Sequence, residues 1–394
     1  MKNALVVVII SLAATACNSG PATTEKKLEA VVVPPVVIVG GQPTFTLERP
    51  KRSDTSKPQF LSAQVLPGRG MTTYQIRAYV PGKGEIDLME APPLAEAPKL
   101  MDGGPEDLIG NKSFSIGGAI LLPYANRIRG KLSADGTTIE TPIDGKPVTL
   151  IANWKGKKPE AVKNAMHGMI LDAKMDNVNT DKNADESSVT GTFHAGDFQG
   201  HWLSKTDVDT KITLKDDVFL MTVTAKNVGA DPLPMGIGWH PYFVLPSGDR
   251  TQAKLHLPAK QRALVTNYDD VFPTGKVEKV AGTPYDFTAP GGAALKNLFL
   301  DDSFVDLQKT PEGNTVIEIR DPASKFGLRV TGMSKEITAI QVYAPLDKKF
   351  VVVEPQFNWV DPYSKVWAGK KTGMVVVKPG ESVTYSVKVE FLTE

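Results

Sequence analysis

Cysteine is almost absent from this sequence of 394 residues: Cys17 is the only one, so a disulfide within a single chain is excluded. A prevailing charge is absent as well. The 45 Lys and Arg residues are matched by 44 Asp and Glu residues, which leaves no broad positive field to attract nucleic acid or anionic lipid. The composition, 41% hydrophobic and 23% charged, is typical of a soluble globular protein. A neutral small molecule is the partner that it favours.

Residues 1–16 predict a secretory signal peptide. A basic start is followed by an apolar run over residues 4–12, too short to span a bilayer, and then by the letters ATAC. This pattern resembles the lipobox of bacterial lipoproteins, in which cleavage before Cys17 precedes attachment of lipid to its sulfur. Ordinary cleavage after Ala16 is the alternative, because Ala14 stands where a lipobox usually has Leu.

The N-terminal pattern also predicts where the protein is located. We expect export to the periplasmic face of a bacterial membrane, as a lipoprotein or as a soluble periplasmic protein. Asn18 is not the aspartate associated with inner-membrane retention in enteric-type bacteria, so the outer membrane is favoured over the inner. Residues 17–58 contain VVVPPVV and ERPKRSDTSKP and lack strong periodicity, which indicates a lipid-anchored N-terminus and flexible tether. A single domain is expected over residues 59–394.

From about residue 60 the sequence is typical of an all-β protein. Residues 211–226, KITLKDDVFLMTVTAK, predict a hairpin with its turn at the polar letters KDD. The C-terminal SVTYSVKVEFL places apolar residues at every second position from Val383 to Phe391, the period of a half-buried strand. Helical periodicity is nearly absent. The pattern predicts one large, mostly antiparallel sandwich or barrel-like body.

Three ionisable side chains lie in apolar surroundings. His240 lies within GIGWHPYFVLP, where Pro241 favours an extended conformation before it. His167 is followed by a glycine in NAMHGMILD, and Glu354 ends the apolar run FVVVEP. A buried charge must be paired, hydrogen-bonded or functional. A core histidine bonded to a carbonyl and a salt-bridged glutamate are the structural alternatives.

Further polar residues follow apolar strands in the same way. Asn126 and Arg127 lie in LPYANRIRG, and Asp301 and Asp302 lie in FLDDSF. Imidazoles, carboxylates, an amide and a guanidinium at strand ends are what a β-sandwich cleft for a polyhydroxylated ligand would contain.

One segment imitates a metal site. His194, Asp197 and His201 occur together in FHAGDFQGHW, but this spacing fixes no common face on a strand, and no third nitrogen or sulfur ligand lies near. We therefore expect no metal there.

An ordered set of motifs resembles the aldose 1-epimerases, the galactose mutarotase family. The resemblance covers residues 60–394 approximately and implies a single large antiparallel β-supersandwich that interconverts α and β anomers of a hexose such as galactose or glucose. The motifs, in chain order, are FSIGGAILLPYANRIRG, NAMHGM, NVGADPLPMGIGWHPYF, LDDSF, AIQVYAP, FVVVEP and GMVVVKPGES.

The resemblance also implies roles for individual residues. His240 would be the general acid that protonates the ring oxygen, and Glu354 the general base that takes the proton of the anomeric hydroxyl. Ring hydroxyls would be held by Asn126, Arg127, His167, Asp301 and Gln341. Asp301 is preferred to Asp302 because the family's aspartate lies three residues before an aromatic, here Phe304. No metal or organic cofactor is implied.

Two departures from the family pattern leave the sugar open. The residues after the HG motif, Met169 to Leu171, are apolar where the family often has an arginine, and Gln356 to Trp359 are particular to this chain. One alternative is a non-catalytic carbohydrate-binding lipoprotein of the same fold. Another is a hexose-6-phosphate epimerase, which would need basic residues beyond Arg127, with Arg129 nearby. The oligomeric state is not predicted.

Overall fold

The computed structural model describes residues 36–392. In that part of the chain one α-helix spans Ala97–Leu100 (α1), and 3₁₀ segments span Pro67–Arg69, Leu94–Glu96, Pro105–Ser115, Pro322–Ser324 and Lys365–Trp367. The remaining elements are strands. In chain order they are β1 (Ile38–Val39), β2 (Gln42–Pro43), β3 (Phe45–Glu48), β4 (Gln59–Leu66), β5 (Thr72–Val80), β6 (Gly84–Asp87), β7 (Gly118–Leu121), β8 (Arg127–Ile128), β9 (Lys131–Leu132), β10 (Thr138–Ile143), β11 (Lys146–Ile151), β12 (Ala165–Met166), β13 (Asn177–Lys182), β14 (Ser187–Gly196), β15 (Thr206–Leu214), β16 (Val218–Asn227), β17 (Leu233–Met235), β18 (Gly238–Val244), β19 (Lys254–His256), β20 (Ala259–Val265), β21 (Pro273–Lys279), β22 (Ala293–Ala294), β23 (Leu300–Leu307), β24 (Thr315–Asp321), β25 (Phe326–Gly332), β26 (Ala339–Ala344), β27 (Phe350–Gln356), β28 (Val375–Val377) and β29 (Ser382–Phe391).

Two large antiparallel sheets form the body. One has eleven strands in the order β21-β20-β23-β26-β27-β18-β7-β5-β4-β3, with β6 also paired to β5, and the other has nine in the order β13-β14-β15-β16-β29-β25-β24-β19-β22. Side chains of both sheets meet in one apolar core; Phe219 of β16, for example, stacks on Trp239 of β18 with ring centroids 5.6 Å apart. The expected all-β, antiparallel β-supersandwich is confirmed.

The sequence patterns account for the central strands of the nine-stranded sheet. The predicted hairpin is β15 and β16, with Leu214 opposite Phe219 across the turn. In β29 the alternate residues Val383, Tyr385 and Val387 are buried and their neighbours face outward. A side-chain period of two lets one face of each strand enter the core.

The expected tether boundary at residue 58 is corrected. Strand β3 pairs with β4 at the edge of the eleven-stranded sheet, and its Leu47 is buried. Val39 of β1 is buried as well, packed in a small cluster with Leu66 and Tyr74. The pattern was missed because these strands are two to four residues long, too short to show a period. The folded body therefore includes residues 38–48.

The predicted signal peptide and Cys17 lie outside the described residues. Within residues 36–392 no helix is both long enough and apolar enough to cross a membrane.

Candidate active site

Three neighbouring strands of the eleven-stranded sheet carry a row of polar side chains. Gln341 of β26 pairs with Glu354 of β27. On the other side of β27, the pairing of Gly238 with Gln356 places His240 level with Glu354. Because side chains directly opposite each other point to the same face of a sheet, these three polar groups lie side by side.

The His240 and Glu354 side chains face each other. Nε2 of His240 lies 3.4 Å from Oε1 of Glu354, and the two side chains are only 6% and 1% exposed. Nδ1 of His240 and Oε2 of Glu354 have no hydrogen-bond partner among the described residues. Burial lowers the pKa of His240 to about 3. Burial, together with the charge of Asp301, raises the pKa of Glu354 well above its ordinary value. Both shifts favour the uncharged form of the pair, with the shared proton on the carboxyl group.

His167 is held by the backbone of Asn126. The two residues have positive φ angles, 61° and 63°, and follow and precede the short paired strands β12 and β8. The amide N–H of Asn126 donates to Nδ1 of His167 over 3.2 Å, so the ring proton of neutral His167 resides on Nε2. That buried Nε2 has no partner among residues 36–392. Burial, with His240 and Arg127 nearby, lowers the pKa of His167 well below its ordinary value. His167 is thus a neutral donor.

The other four predicted residues form a closed ring of hydrogen bonds. Asn126 Nδ2 donates to Gln341 Oε1 over 3.0 Å, and Gln341 Nε2 donates to Asp301 Oδ1 over 2.7 Å. Arg127 closes the ring: Nη2 donates to Asp301 Oδ2 over 3.3 Å and Nη1 to Asn126 Oδ1 over 3.1 Å. These bonds fix the rotamers of all four side chains before a ligand binds.

All seven predicted residues line one cavity of about 200 Å³. This volume is below the roughly 300–1,000 Å³ of ordinary ligand pockets and suits a ligand of one ring. Its walls are largely aromatic. Tyr242 and Tyr343 lie on β18 and β26, whereas the other wall aromatics lie outside the strands, where no periodicity could indicate them. The wall and rim residues are Phe114, Trp154, Lys155, Lys157, Met166, Tyr242, Tyr268, Asp269, Phe299 and Tyr343.

Other candidates lie outside the cavity. Asp302 accepts hydrogen bonds from Arg262 at 2.7 Å and from Tyr268 at 3.0 Å, which agrees with the choice of Asp301 as the cavity residue. Arg129 is bound to Asp361, with Nε 2.5 Å from its carboxylate, and is not a cavity residue.

The histidine-rich segment has structural contacts. His194 Nδ1 lies 3.0 Å from Asp207 and His201 Nδ1 lies 2.6 Å from the carbonyl of Thr149. Among residues 36–392 no group of three His, Cys, Asp or Glu side chains is placed to hold a metal ion.

The fold and the cavity define a class of protein. The family model for aldose 1-epimerase matches residues 96–390, well over half of the chain, and the chain belongs to that family. Among solved structures, a galactose mutarotase-like protein of Clostridium acetobutylicum has a TM-score of 0.65 at 17% identity, covering 85% of this chain and 95% of that one. A galactose 1-epimerase of Lactobacillus acidophilus has a TM-score of 0.57 at 15% identity, covering 89% and 98%. At identities this low, the structural similarity shows a shared fold alone.

A curated relative is similar in sequence over part of its length. The uncharacterized protein YphB of Escherichia coli K12 is 26% identical over 190 residues, which are 45% of this chain. The matched segment spans 58% of that relative.

Proposed function

We propose that this protein is an aldose 1-epimerase that interconverts the α and β anomers of a free hexose such as galactose or glucose. The observation that carries the proposal is the pair His240 and Glu354, 3.4 Å apart at the floor of the cavity. A buried acid and base side by side, whose remaining polar atoms have no partner among the described residues, is an arrangement suited to moving protons.

The reaction needs one proton to leave the anomeric hydroxyl and one to reach the ring oxygen. Glu354 as carboxylate takes the first, and His240 as imidazolium supplies the second while the bond between C1 and the ring oxygen breaks. The open aldehyde rotates about the C1–C2 bond, and reclosure with the two roles reversed gives the other anomer. Each positioned group contributes about 10²–10⁴-fold.

The pair can reach its active form without exchanging protons with water. The neutral form holds one proton, on Glu354, and transfer of that proton to His240 yields carboxylate and imidazolium. A bound sugar favours this form, because its anomeric hydroxyl donates to the carboxylate and its ring oxygen accepts from the imidazolium. His167 Nε2–H and the ring of Asn126, Arg127, Asp301 and Gln341 hold the other hydroxyls.

Polarimetry of freshly dissolved α-D-galactose and α-D-glucose tests the proposal. The purified chain is expected to speed relaxation to anomeric equilibrium above the spontaneous rate. If neither sugar relaxes faster, yet sugars raise the melting temperature, the protein is the non-catalytic carbohydrate-binding alternative.

A phosphorylated sugar is a second candidate substrate, and one observation favours it. Lys155 and Lys157 lie at the cavity rim, where their ammonium groups would meet a phosphate on the far end of a hexose. Asp269 lies at the same rim, and its negative charge would repel a phosphate. This candidate predicts that the protein relaxes glucose 6-phosphate faster than glucose. The difference in rate should disappear in the double variant Lys155→Ala/Lys157→Ala.

We also propose that the chain is exported and lipidated at Cys17, on the basis of its N-terminal pattern. Expression of the full chain in a bacterium should yield a mature protein that begins at Cys17 and carries acyl chains, as read by mass spectrometry. Cys17→Ser is the control. A mature N-terminus at Cys17 with a free thiol would instead support a soluble exported protein.

A further inference from the structure

Gln356 is a buried amide beside the candidate acid and base. Its exposed fraction is 0%, and neither its Oε1 nor its Nε2 has a hydrogen-bond partner among residues 36–392. Gln341 differs in this respect, because its amide oxygen accepts from Asn126 and its amide nitrogen donates to Asp301. Leaving a buried primary amide unpaired is costly, so such a group indicates a partner beyond the protein's own atoms.

The neighbours of Gln356 explain why protein atoms do not satisfy it. In the sheet it lies between Ala339 of β26 and Gly238 of β18. Above Gly238, the space a β-carbon would occupy lies 3.1 Å from Cβ of Gln356 and 3.2 Å from Cβ of Ala125. Ala339, Gly238 and Ala125 have no polar side chain that could bond the amide. The nearest polar side chain is therefore sought along the strand of Gln356 itself.

Glu354 is the polar neighbour along that strand. It lies two residues before Gln356 on β27 and therefore on the same face, and its Oε2 is also unpaired among the described residues. Two residues along a strand are about 6.6 Å apart, and a water with two hydrogen bonds of about 2.8 Å each spans nearly that distance.

We propose that Gln356 holds a buried water against Oε2 of Glu354 and is thereby a positioning residue for the base. This inference rests on the proposed function for its kinetic part, but not for the water itself. The water accepts from Nε2 of Gln356 and donates to Oε2 of the carboxylate, which leaves Oε1 toward His240. Buried waters ordinarily make about three such bonds and are part of the fold.

The bridge favours the carboxylate form of Glu354. A donor to a carboxylate stabilises its charged form, which offsets burial and the charge of Asp301. The ionisable groups around Glu354 come from each element packed against it, namely His240 and Tyr242 on β18, Asp301 on β23, Arg127 on β8, His167 after β12, and Tyr385 on β29. The amides of Asn126 and Gln341 are hydrogen-bonded to each other, whereas both amide atoms of Gln356 lack a partner among the described residues.

The kinetic test compares Gln356→Met with the wild-type full chain. Methionine keeps the volume and removes both polar atoms. We expect kcat to fall about ten-fold. The acidic limb of the profile of kcat against pH should move up by about one pH unit, because the carboxylate of Glu354 loses one hydrogen bond that stabilises its charged form. KM should change little, because Gln356 does not line the cavity. Gln356→Asn keeps an amide and should return the limb toward its wild-type position.

A matched control separates positioning from general damage. Val353→Ala removes a buried side chain from the opposite face of the same strand and should lower the melting temperature without moving the limb. An acidic limb that stays in place in Gln356→Met, with only kcat or stability reduced, would contradict the proposal.

A high-resolution crystal structure of the full chain tests the water directly. Ordered density between Gln356 and Oε2 of Glu354, absent in Gln356→Met, is expected. A Gln356 amide bonded only to protein groups would overturn the proposal. If the wild-type chain is inactive on every sugar, the proposed function is wrong. The crystal structure then tests on its own whether Gln356 holds a water against Glu354.

Discussion

Two buried acid–base pairs in this molecule are similarly hidden from solvent but differ in their hydrogen bonds. Asp107 and Arg69 have side chains 0% and 3% exposed. Both carboxylate oxygens of Asp107 accept from the guanidinium of Arg69, and each accepts one backbone N–H besides, from Lys112 and Gly103. Glu354 and His240 are 1% and 6% exposed, yet an oxygen of one and a nitrogen of the other remain unpaired among the described residues.

This difference distinguishes a structural ion pair, Arg69 and Asp107, from a reactive acid–base pair, His240 and Glu354. Arg69 Nε also donates to Ser113, which in turn donates to the carbonyl of Leu171, so that network ties the segment Pro105–Ser115 to the body. A fully bonded charge is stable where it is. An acid and a base whose polar atoms are not all hydrogen-bonded within the protein can still form hydrogen bonds to a ligand.

The largest effect is expected from His240→Asn. Relaxation of α-D-galactose should slow by about 10²–10⁴-fold, because the proton donor to the ring oxygen is lost, while the melting temperature stays near that of the wild type. Polarimetry and thermal unfolding measure the two. His256→Asn, in a histidine whose Nδ1 lies near the carbonyl of Ala289, is the control and should be fully active. A slow but strongly destabilised His240→Asn would assign His240 a structural role.

The reverse pattern is expected from Asp107→Ala. Removing this carboxylate leaves the buried guanidinium of Arg69 unpaired, which costs about 3–5 kcal/mol in the free energy of unfolding. Denaturant unfolding measures the loss. Glu85→Ala, which breaks exposed pairs with Lys51 and Arg77, should cost no more than about 1 kcal/mol. Equal losses in the two variants would remove the distinction between the sites.

Asp301→Asn sharpens the comparison inside the cavity. The carboxylate of Asp301 raises the pKa of Glu354, so its neutralisation should move the acidic limb of the pH profile to lower pH. Loss of the contact to Arg127 should lower kcat/KM by about ten-fold. Asp302→Asn, in the neighbouring carboxylate outside the cavity, is the matched control and should leave the limb in place. An upward movement in Asp301→Asn would contradict the electrostatic account.

The smallest effect concerns the pH dependence of stability. Because burial lowers the pKa of His240 to about 3, the unfolded chain binds more protons at this residue between that value and its ordinary 6.5. The contribution of His240 to the free energy of unfolding should therefore fall as the pH drops through this window. His240→Asn should reduce the slope by up to about 1.4 kcal/mol per pH unit. Identical slopes would show that His240 is not buried as a neutral group.

Sequence reasoning located the polar floor of the cavity but not its walls. His240, Glu354 and Asp301 could be found because each interrupts an apolar strand, where an ionisable group needs a reason. Trp154 and Phe114 come from irregular segments, and their place against Arg127 and His167 depends on long-range packing that no local pattern carries. Strand β3 was missed because its four residues are too few to show an alternating pattern.

Glu354→Gln at equal folded concentration tests the central claim most directly. The substitution keeps shape and hydrogen-bonding capacity but removes the proton acceptor, and it also removes a carboxyl group whose raised pKa destabilises the folded state at neutral pH. We predict that polarimetry shows relaxation of α-D-galactose at the spontaneous rate, while the free energy of unfolding at pH 7 is equal to or higher than that of the wild type. A variant that keeps the wild-type rate, or that loses its rate together with its fold, would contradict the account.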